Sequence, residues 1–393
     1  MFQKICIKPN KGTFPTDIGL LAENLLYYNK VILVAGTDTL PTLLRHCDVD
    51  TIVEILKRGN LEIRVQENLL GTMQREISGK IIHDVALWSS KNLNTEEVVF
   101  RGLFEVSGRR GYSRRNTNKL LNYIVPIKYD EQITNFINQD LEDEKFVKQA
   151  MIDILQIRNP DLNIPFDSFY CKRTMTPNGF YLESNLDFDL INRHLPNNSD
   201  GQLFRPTGII LNIQETRGDM HLAATLGAEI STTPIHTQLM KRKFQDIYRK
   251  STKSFEDLQQ FNDFILDNGH AIKEAINSGE RNLKDFLPIL EKADKFREWI
   301  HQVGDDKNLI KEYHKAVVKE TWVDKLPAKS VRFSLFTGAG LTLDLLGAGG
   351  VGTAINTVLG AGDTFLLDKV LKGWKPNVFV DRDLKKFINN PKK

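Results

Sequence analysis

The chain has 393 residues, of which 41% are hydrophobic and 26% charged, a composition typical of a folded globular protein rather than a disordered or fibrous one. Its 53 basic residues nearly balance 50 acidic ones, so the net charge of +3 gives no overall reason to expect nucleic acid or an anionic membrane as partner. Cys6, Cys47 and Cys171 form no CxxC pair and indicate neither a disulfide framework nor a cysteine-based zinc site. With an N-terminus that has no long apolar run, these features predict a cytoplasmic protein.

Helices and strands alternate in the first part of the chain. Apolar residues recur at helical spacing over 17–28, and KVILVA at 30–35 has the length and branched side chains of a buried strand. Helical spacing returns at 40–45 and 50–57, and the alternating LEIRV at 61–65 predicts a second strand. This order predicts a small α/β unit.

Further strands are predicted in the middle of the chain. They are residues 98–106, 122–127, 169–175 and 180–183. Pro177, Asn178 and Gly179 join the last two as a hairpin, because Asn and Gly accept positive φ. The alternation in LDFDL places Asp187 and Asp189 on one face of a strand, where they either bind a cation or face solvent.

A basic stretch at residues 108–119 reads GRRGYSRRNTNK and predicts a surface loop. Its arginines are candidates for phosphate or nucleic-acid contact, because the arginine fork matches phosphate oxygens and Tyr112 can stack on a base. These arginines are Arg109, Arg110, Arg114 and Arg115. No nucleic-acid-binding module surrounds the stretch, so the simpler interpretation is a solvated loop, and nucleic acid is not an expected partner.

Acidic residues give a second candidate site. Asp38 follows the strand KVILVA, and Asp219 is predicted to open a helix that leads to the small-residue strand AEISTT. This order resembles the PIN-type metal nucleases over a minority of the chain. The resemblance implies that Asp38 and Asp219, with Glu215, bind Mg²⁺ as catalytic residues. Pro234 and Ile235 stand where that family usually has another acid, and the alternative is a turn residue at Asp38 and a helix cap at Asp219.

Residues 235–326 are helical and charged in pattern. Three apolar stripes predict three antiparallel amphipathic helices joined by short turns, with Gly279 and Gly304 at the breaks. The stripes lie at 255–276, 283–300 and 309–323.

Residues 333–362 differ from the rest of the chain, since their only charge is Asp344. As one helix they would extend about 45 Å, more than the roughly 30 Å of a hydrocarbon core. Small residues four apart allow close helix packing in lipid, and the flanking basic and aromatic residues suit a membrane interface. The residues proposed for membrane insertion or self-association are Gly338, Gly340, Gly347, Gly349, Gly350, Gly352, Gly360, Gly362, Arg332, Lys369, Lys372 and Trp374.

The alternative for this glycine-rich segment, residues 333–362, is two short buried helices that break at residues 347–350. Each interior glycine opposes helix formation by about 1 kcal/mol, and an aspartate near the centre opposes insertion by about 2.5–3.5 kcal/mol. The sequence therefore leaves open whether the glycines serve packing in a core or association in lipid.

These observations predict a mixed α+β fold in three parts. Residues 1–234 form an α/β body, with a possible subdomain boundary near 128, residues 235–326 a helical region, and residues 327–393 the glycine-rich segment with a basic tail. We expect a non-enzymatic cytosolic sensor, adaptor or effector, of the kind found in bacterial defence or stress response. Its glycine-rich segment would mediate homo-oligomer formation, partner binding or membrane insertion. The alternatives are a PIN-like nuclease and a soluble structural oligomer; no cofactor is expected except Mg²⁺ for the nuclease.

Overall fold

The computed structural model is a mixed α+β fold built on a six-stranded and a four-stranded sheet. It describes residues 3–8, 17–160, 168–194, 203–233, 235–240, 242–243, 271–279, 281–302, 332–333, 379–384 and 386–387. The strands are β1 (Lys4–Ile7), β2 (Lys30–Ala35), β3 (Leu61–Gln66), β4 (Asn68–Ile77), β5 (Lys80–Ser89), β6 (Ile124–Ile127), β7 (Cys171–Thr176), β8 (Gly179–Ser184), β9 (Glu229–Ser231) and β10 (Arg332–Phe333).

Helices cover both faces of the larger sheet. They are α1 (Ile18–Tyr27), α2 (Thr39–His46), α3 (Val49–Lys57), α4 (Thr95–Ser107), α5 (Arg110–Leu121), α6 (Ile133–Glu142), α7 (Glu144–Arg158), α8 (Phe188–His194), α9 (Pro206–Leu226), α10 (residues 235–240), α11 (Ala271–Asn277) and α12 (Leu283–Gln302). A short 3₁₀ turn occupies Lys91–Leu93, and a π-helical turn occupies Phe379–Leu384.

The larger sheet has the order β10-β9-β1-β2-β3-β6 and is parallel except for β10. Its central strands β1 and β2 are buried on both faces, which is why β2 is an almost continuous apolar run. Val31 and Leu33 face one hydrophobic core, while Ile32 and Val34 face the other. The sheet therefore separates the two cores of the molecule.

Different elements cover the two faces of this sheet. The first core is closed by helices α1 to α5 together with α11 and α12, through residues such as Leu25, Val99 and Phe286. The second core is closed by α6, α7 and α9 and by the smaller sheet, through residues such as Ile154 and Phe180.

The smaller sheet is antiparallel, with the order β4-β5-β8-β7. Ser78 and Gly79 connect β4 to β5 with φ values of 52° and 74°, and two positive φ values are the signature of the tight type I′ hairpin. The predicted hairpin between β7 and β8 is confirmed: Thr176 pairs with Gly179, which has a φ of 131°, so Pro177 and Asn178 form the turn.

Strand β1 lies where the strand order of the larger sheet reverses. It pairs with β2 on one side and with β9 on the other, so the chain leaves its carboxyl end toward β2 and later returns to β9. In open parallel sheets, a crevice at such a reversal is the usual place for a ligand. Lys8 follows β1 at this point, and Thr232 follows β9.

The predictions for residues 17–65 are confirmed, and those for 122–127, 169–175 and 180–183 are confirmed with small boundary shifts. The strand predicted at 98–106 is wrong, because this region belongs to α4, where Asn94 caps the first turn and Val98, Val99 and Gly102 lie on one buried face. The loop predicted at 108–119 is also wrong, since α5 begins at Arg110.

Two acidic positions differ from their predicted settings. Asp187 does not belong to a strand; its carboxylate accepts a hydrogen bond of 2.9 Å from the backbone N–H of Leu190 in the first turn of α8. Asp219 does not open a helix either, because it lies well inside α9, which runs from Pro206 to Leu226. Both errors arise from short apolar stretches whose period is ambiguous between strand and helix.

The middle stripe of the predicted helical region forms α12, and Gly279 ends α11 with a φ of 80°. Helices α11 and α12 contact α1, so Ile276 and Phe296 share the first core with the strands of the larger sheet. Most of the first stripe and all of the third lie outside the described residues.

Two described pieces flank the glycine-rich segment. β10 pairs with β9, Arg332 opposite Ser231 and Phe333 opposite Ile230. Phe379 packs on Phe296 of α12, with ring centroids 5.2 Å apart. The predicted association residues other than Arg332, namely the eight glycines with Lys369, Lys372 and Trp374, lie outside the described residues. In the part of the chain that is described, no helix has the length and apolar character needed to cross a membrane.

Candidate functional site

A cluster of charged side chains lies at the carboxyl edge of the larger sheet. Lys8, which follows β1, places its Nζ 2.7 Å from Glu215 Oε2 and 2.9 Å from Asp219 Oδ1. Both carboxylates belong to α9, where four-residue spacing puts them on the same side of the helix. One lysine is therefore held between two carboxylates at the strand reversal.

The second oxygen of Asp219 is also occupied. Thr232 Oγ1 donates to Asp219 Oδ2 across 2.7 Å, and His236 Nδ1 lies 3.1 Å from the same oxygen. Thr232 follows β9 and His236 belongs to α10, so this carboxylate connects three consecutive elements. We call Lys8, Glu215, Asp219, Thr232 and His236 the edge network.

The charges of the edge network stabilise one another. Burial by itself raises the pKa of the Asp219 carboxyl, but Lys8, His236 and Thr232 outweigh it and hold that pKa well below its usual value. Burial likewise lowers the pKa of Lys8, and the two carboxylates outweigh it and raise that pKa well above its usual value. Lys8 and Asp219 are thus both charged near neutral pH.

The two carboxylates differ in exposure. The Asp219 side chain is 2% exposed and that of Glu215 is 18% exposed. Because Glu215 retains contact with solvent, it is the partner of Lys8 that an anionic ligand could replace at lower cost. Asp219 is enclosed and accepts on both oxygens, and its depressed pKa makes it a weak base.

Tyr129, beyond the carboxyl end of β6, lies beside the edge network. Its backbone is fixed by Asn68, whose side-chain amide donates to the Tyr129 carbonyl at 2.9 Å and accepts from its N–H at 2.8 Å. Burial raises the pKa of the Tyr129 hydroxyl, which therefore stays protonated. Burial also raises the pKa of the Cys6 thiol in β1 to about 12, so Cys6 is not a nucleophile.

The residues predicted for a nuclease do not form one group. Asp38 is exposed at the start of α2, without a side-chain capping bond, whereas Asp219 is enclosed in the edge network. Glu215 does lie close to Asp219, but the cation held between the two carboxylates is the ammonium group of Lys8. Within the described ranges, no group of three or more His, Cys, Asp or Glu side chains is arranged to hold a metal ion.

The predicted phosphate-binding arginines lie on the surface. Arg109 precedes α5, and the other three are exposed along its length. Of the four, Arg109 lines a separate cleft described below.

Sequence reasoning missed Lys8, Thr232 and His236 as members of a site. Lys8 directly follows an apolar alternation, which is the position of a residue at the carboxyl end of a strand. For His236 the sequence gives no comparable signal, because its partner Asp219 is remote in sequence and the pair forms only when α9 and α10 fold together.

No protein-family model, curated protein or solved structure matches this chain.

Proposed function

We propose that this chain is a non-enzymatic cytosolic sensor or adaptor whose glycine-rich segment associates with itself or with a membrane when its attachment to the body is loosened. The observation that carries the proposal is the position of β10. This strand ends at Phe333, the first residue of the segment, and pairs with β9, the strand that leads into Thr232 of the edge network.

The attachment through β10 is weak enough to be opened. Within the described residues, two residue pairs join β10 to β9, and each backbone hydrogen bond contributes about 0.5–1.5 kcal/mol net. A change that moves Thr232 or His236 would also move β9, the strand that pairs with β10. The edge network would then be the sensing element and β10 the connection to the segment.

The other flank keeps the segment attached to the body. Phe379, Leu384 and Phe387 are buried in the first core, and Asp383 pairs with Lys292 of α12 at 2.6 Å. This flank is held by side chains buried in the first core, whereas the described residues of β10 are held by backbone pairing with β9, so loosening is expected first at β10. A segment released on one side and tethered on the other suits an effector that stays joined to its sensor.

The proposal is tested by replacing residues 338–362 with a Gly-Ser linker of equal length, which retains both flanking pieces. The parent chain should float with anionic vesicles or sediment as an oligomer, and the linker variant should do neither. If both chains behave alike in flotation and in sedimentation, the glycine-rich segment has no such role and the proposal fails.

Two other results would replace this proposal with one of the alternative functions. Mg²⁺-dependent cleavage of nucleic acid that is abolished by Asp219→Asn would establish the nuclease, with Asp38 as the next residue to test. A stable homo-oligomer that persists in the linker variant and ignores vesicles would establish a structural role.

A further inference from the structure

A second site is formed by a cleft of about 550 Å³ on the face of the molecule built by α2 to α5. One wall is the junction of α2 and α3, and the other is the end of α4 with the start of α5. The lining residues are Leu44, Arg45, His46, Cys47, Asp48, Val49, Leu103, Val106, Ser107, Arg109 and Tyr112. Sites for small molecules have volumes of about 300–1,000 Å³, so the cleft is large enough for a ligand.

The turn between α4 and α5 gives the cleft its shape. Gly108 adopts a φ of 64°, and its N–H bonds to Phe104 O at 2.8 Å, which ends α4 and reverses the chain. Arg109 and Tyr112 are thereby placed beside Leu103 and Val106. The cleft thus combines an aliphatic floor with an arginine and a tyrosine ring at its rim.

The charged groups of the cleft favour an anion. Arg45, His46 and Arg109 are exposed, and the Arg109 side chain makes no hydrogen bond or ion pair with another described residue. The single acid of the lining, Asp48, is already engaged, because it accepts from Thr51 N at 2.7 Å as the cap of α3. Arg45 forms an ion pair with Glu105, an exposed residue that does not line the cleft.

We propose that this cleft binds a nucleoside monophosphate or a closely related small aromatic anion. Arg109 and Arg45 would bind the phosphate, since arginine forks match phosphate oxygens. Tyr112 would stack on the base, and Leu44, Leu103 and Val106 would contact its apolar face. The inference does not depend on the proposed function, because it uses none of the residues of the edge network.

The ligand binds without forming a covalent bond to the protein. Cys47 lines the cleft, and its thiol donates to Leu43 O at 3.3 Å. Burial, reinforced by the charge of Asp48, raises the pKa of Cys47 to about 12, so the thiol is not a nucleophile.

The test is calorimetric titration of the full chain with AMP. Binding should saturate, and Arg109→Ala should weaken it about tenfold or more, as expected for loss of a charged hydrogen bond. Arg115→Ala is the matched control, because it removes the same charge from the exposed face of α5 outside the cleft and should change affinity by about twofold at most. Glu105→Gln should strengthen binding by releasing Arg45.

Two further variants separate the parts of the ligand. Tyr112→Leu should weaken AMP and leave inorganic phosphate unaffected, and Val106→Trp should block AMP by filling the cleft. All of these side chains are exposed, so circular dichroism should show unchanged folding. A loss of fold in Arg109→Ala would leave Val106→Trp and Glu105→Gln to decide the result.

Three outcomes would overturn the inference. The first is the absence of saturable AMP binding at millimolar concentration. The second is equal weakening by Arg109→Ala and Arg115→Ala, which would indicate diffuse charge rather than a cleft. The third is tight binding of a single-stranded oligonucleotide that Arg114→Ala and Arg115→Ala weaken as much as Arg109→Ala, which would assign a nucleic-acid surface instead.

Discussion

Replacing Lys8 with methionine tests whether the edge network is a buried ion pair. The substitution retains most of the side-chain volume and removes the charge that faces Asp219 at 2.9 Å. Asp219, whose side chain is 2% exposed, then remains charged in the interior with only Thr232 and His236 as partners.

The magnitude follows from the geometry. At an effective dielectric constant of about 20, two unit charges at this separation attract by about 6 kcal/mol. Desolvation offsets part of that attraction, and removing one partner of a buried pair generally costs about 3–5 kcal/mol. Because Asp219 keeps two hydrogen bonds, we expect Lys8→Met to lower the free energy of unfolding by about 3 kcal/mol.

The assay is urea unfolding followed by circular dichroism, with Lys30→Met as the matched control. Lys30 pairs with Glu62 at the start of β2, but its side chain is 37% exposed, so its loss should lower the free energy of unfolding by about 1 kcal/mol at most. The double variant Lys8→Met/Asp219→Asn should lose less free energy of unfolding than the sum of the two single variants, because it no longer contains a buried Asp219 charge without its lysine. Equal losses for Lys8→Met and Lys30→Met, or full additivity in the double variant, would refute the reasoning.

Two further predictions concern pH and backbone conformation. The pKa of Asp219 is depressed in the folded state, so its contribution to stability is present above the unfolded pKa of about 4 and is lost as the pH falls below that value. In an acid titration, the free energy of unfolding of Asp219→Asn should therefore fall less steeply than that of the parent. An unchanged slope would contradict the charge assigned to Asp219. At Gly179, a Cβ would lie 2.3 Å from His83 O at a φ of 131°, so Gly179→Ala should lower the free energy of unfolding by about 1–3 kcal/mol. Thermal melts of Gly179→Ala and of a control, Gly59→Ala, measure this loss. Gly59 has a φ of 78°, but an added Cβ there would meet nothing within 4 Å, so Gly59→Ala should lower the stability less than Gly179→Ala.

The mixed fold and most elements of residues 17–65 could be predicted because each has one strong local signal. KVILVA is short and rich in branched side chains, as a buried strand requires, and the helical spacing that begins at residue 17 matches α1, which Asp17 caps. By contrast, the run TEEVVFRGLFEVS contains β-branched residues that favour a strand, yet its capping residue and the spacing of its buried positions make α4.

The site was harder to predict than the fold. Glu215 and Asp219 were proposed from their acidity, but their actual partner, Lys8, is more than 200 positions away, and nothing local to Lys8 indicates a carboxylate. Only the sheet order, with β9 returning to the side of β1, brings these residues together. The same holds for the cleft, since the packing of α2 against α4 places Arg45 and Arg109 in the lining of one cleft.

The central claim is that the edge network controls the glycine-rich segment through β9 and β10. It is tested most directly by flotation of Lys8→Met with anionic vesicles, in the full chain and in the chain whose residues 338–362 are replaced by a Gly-Ser linker. Full-length Lys8→Met should float more than the parent and more than Gly179→Ala, which lowers stability without touching β9. The linker version should not float. Equal flotation of Lys8→Met and Gly179→Ala, or flotation that persists in the linker version, would contradict the claim.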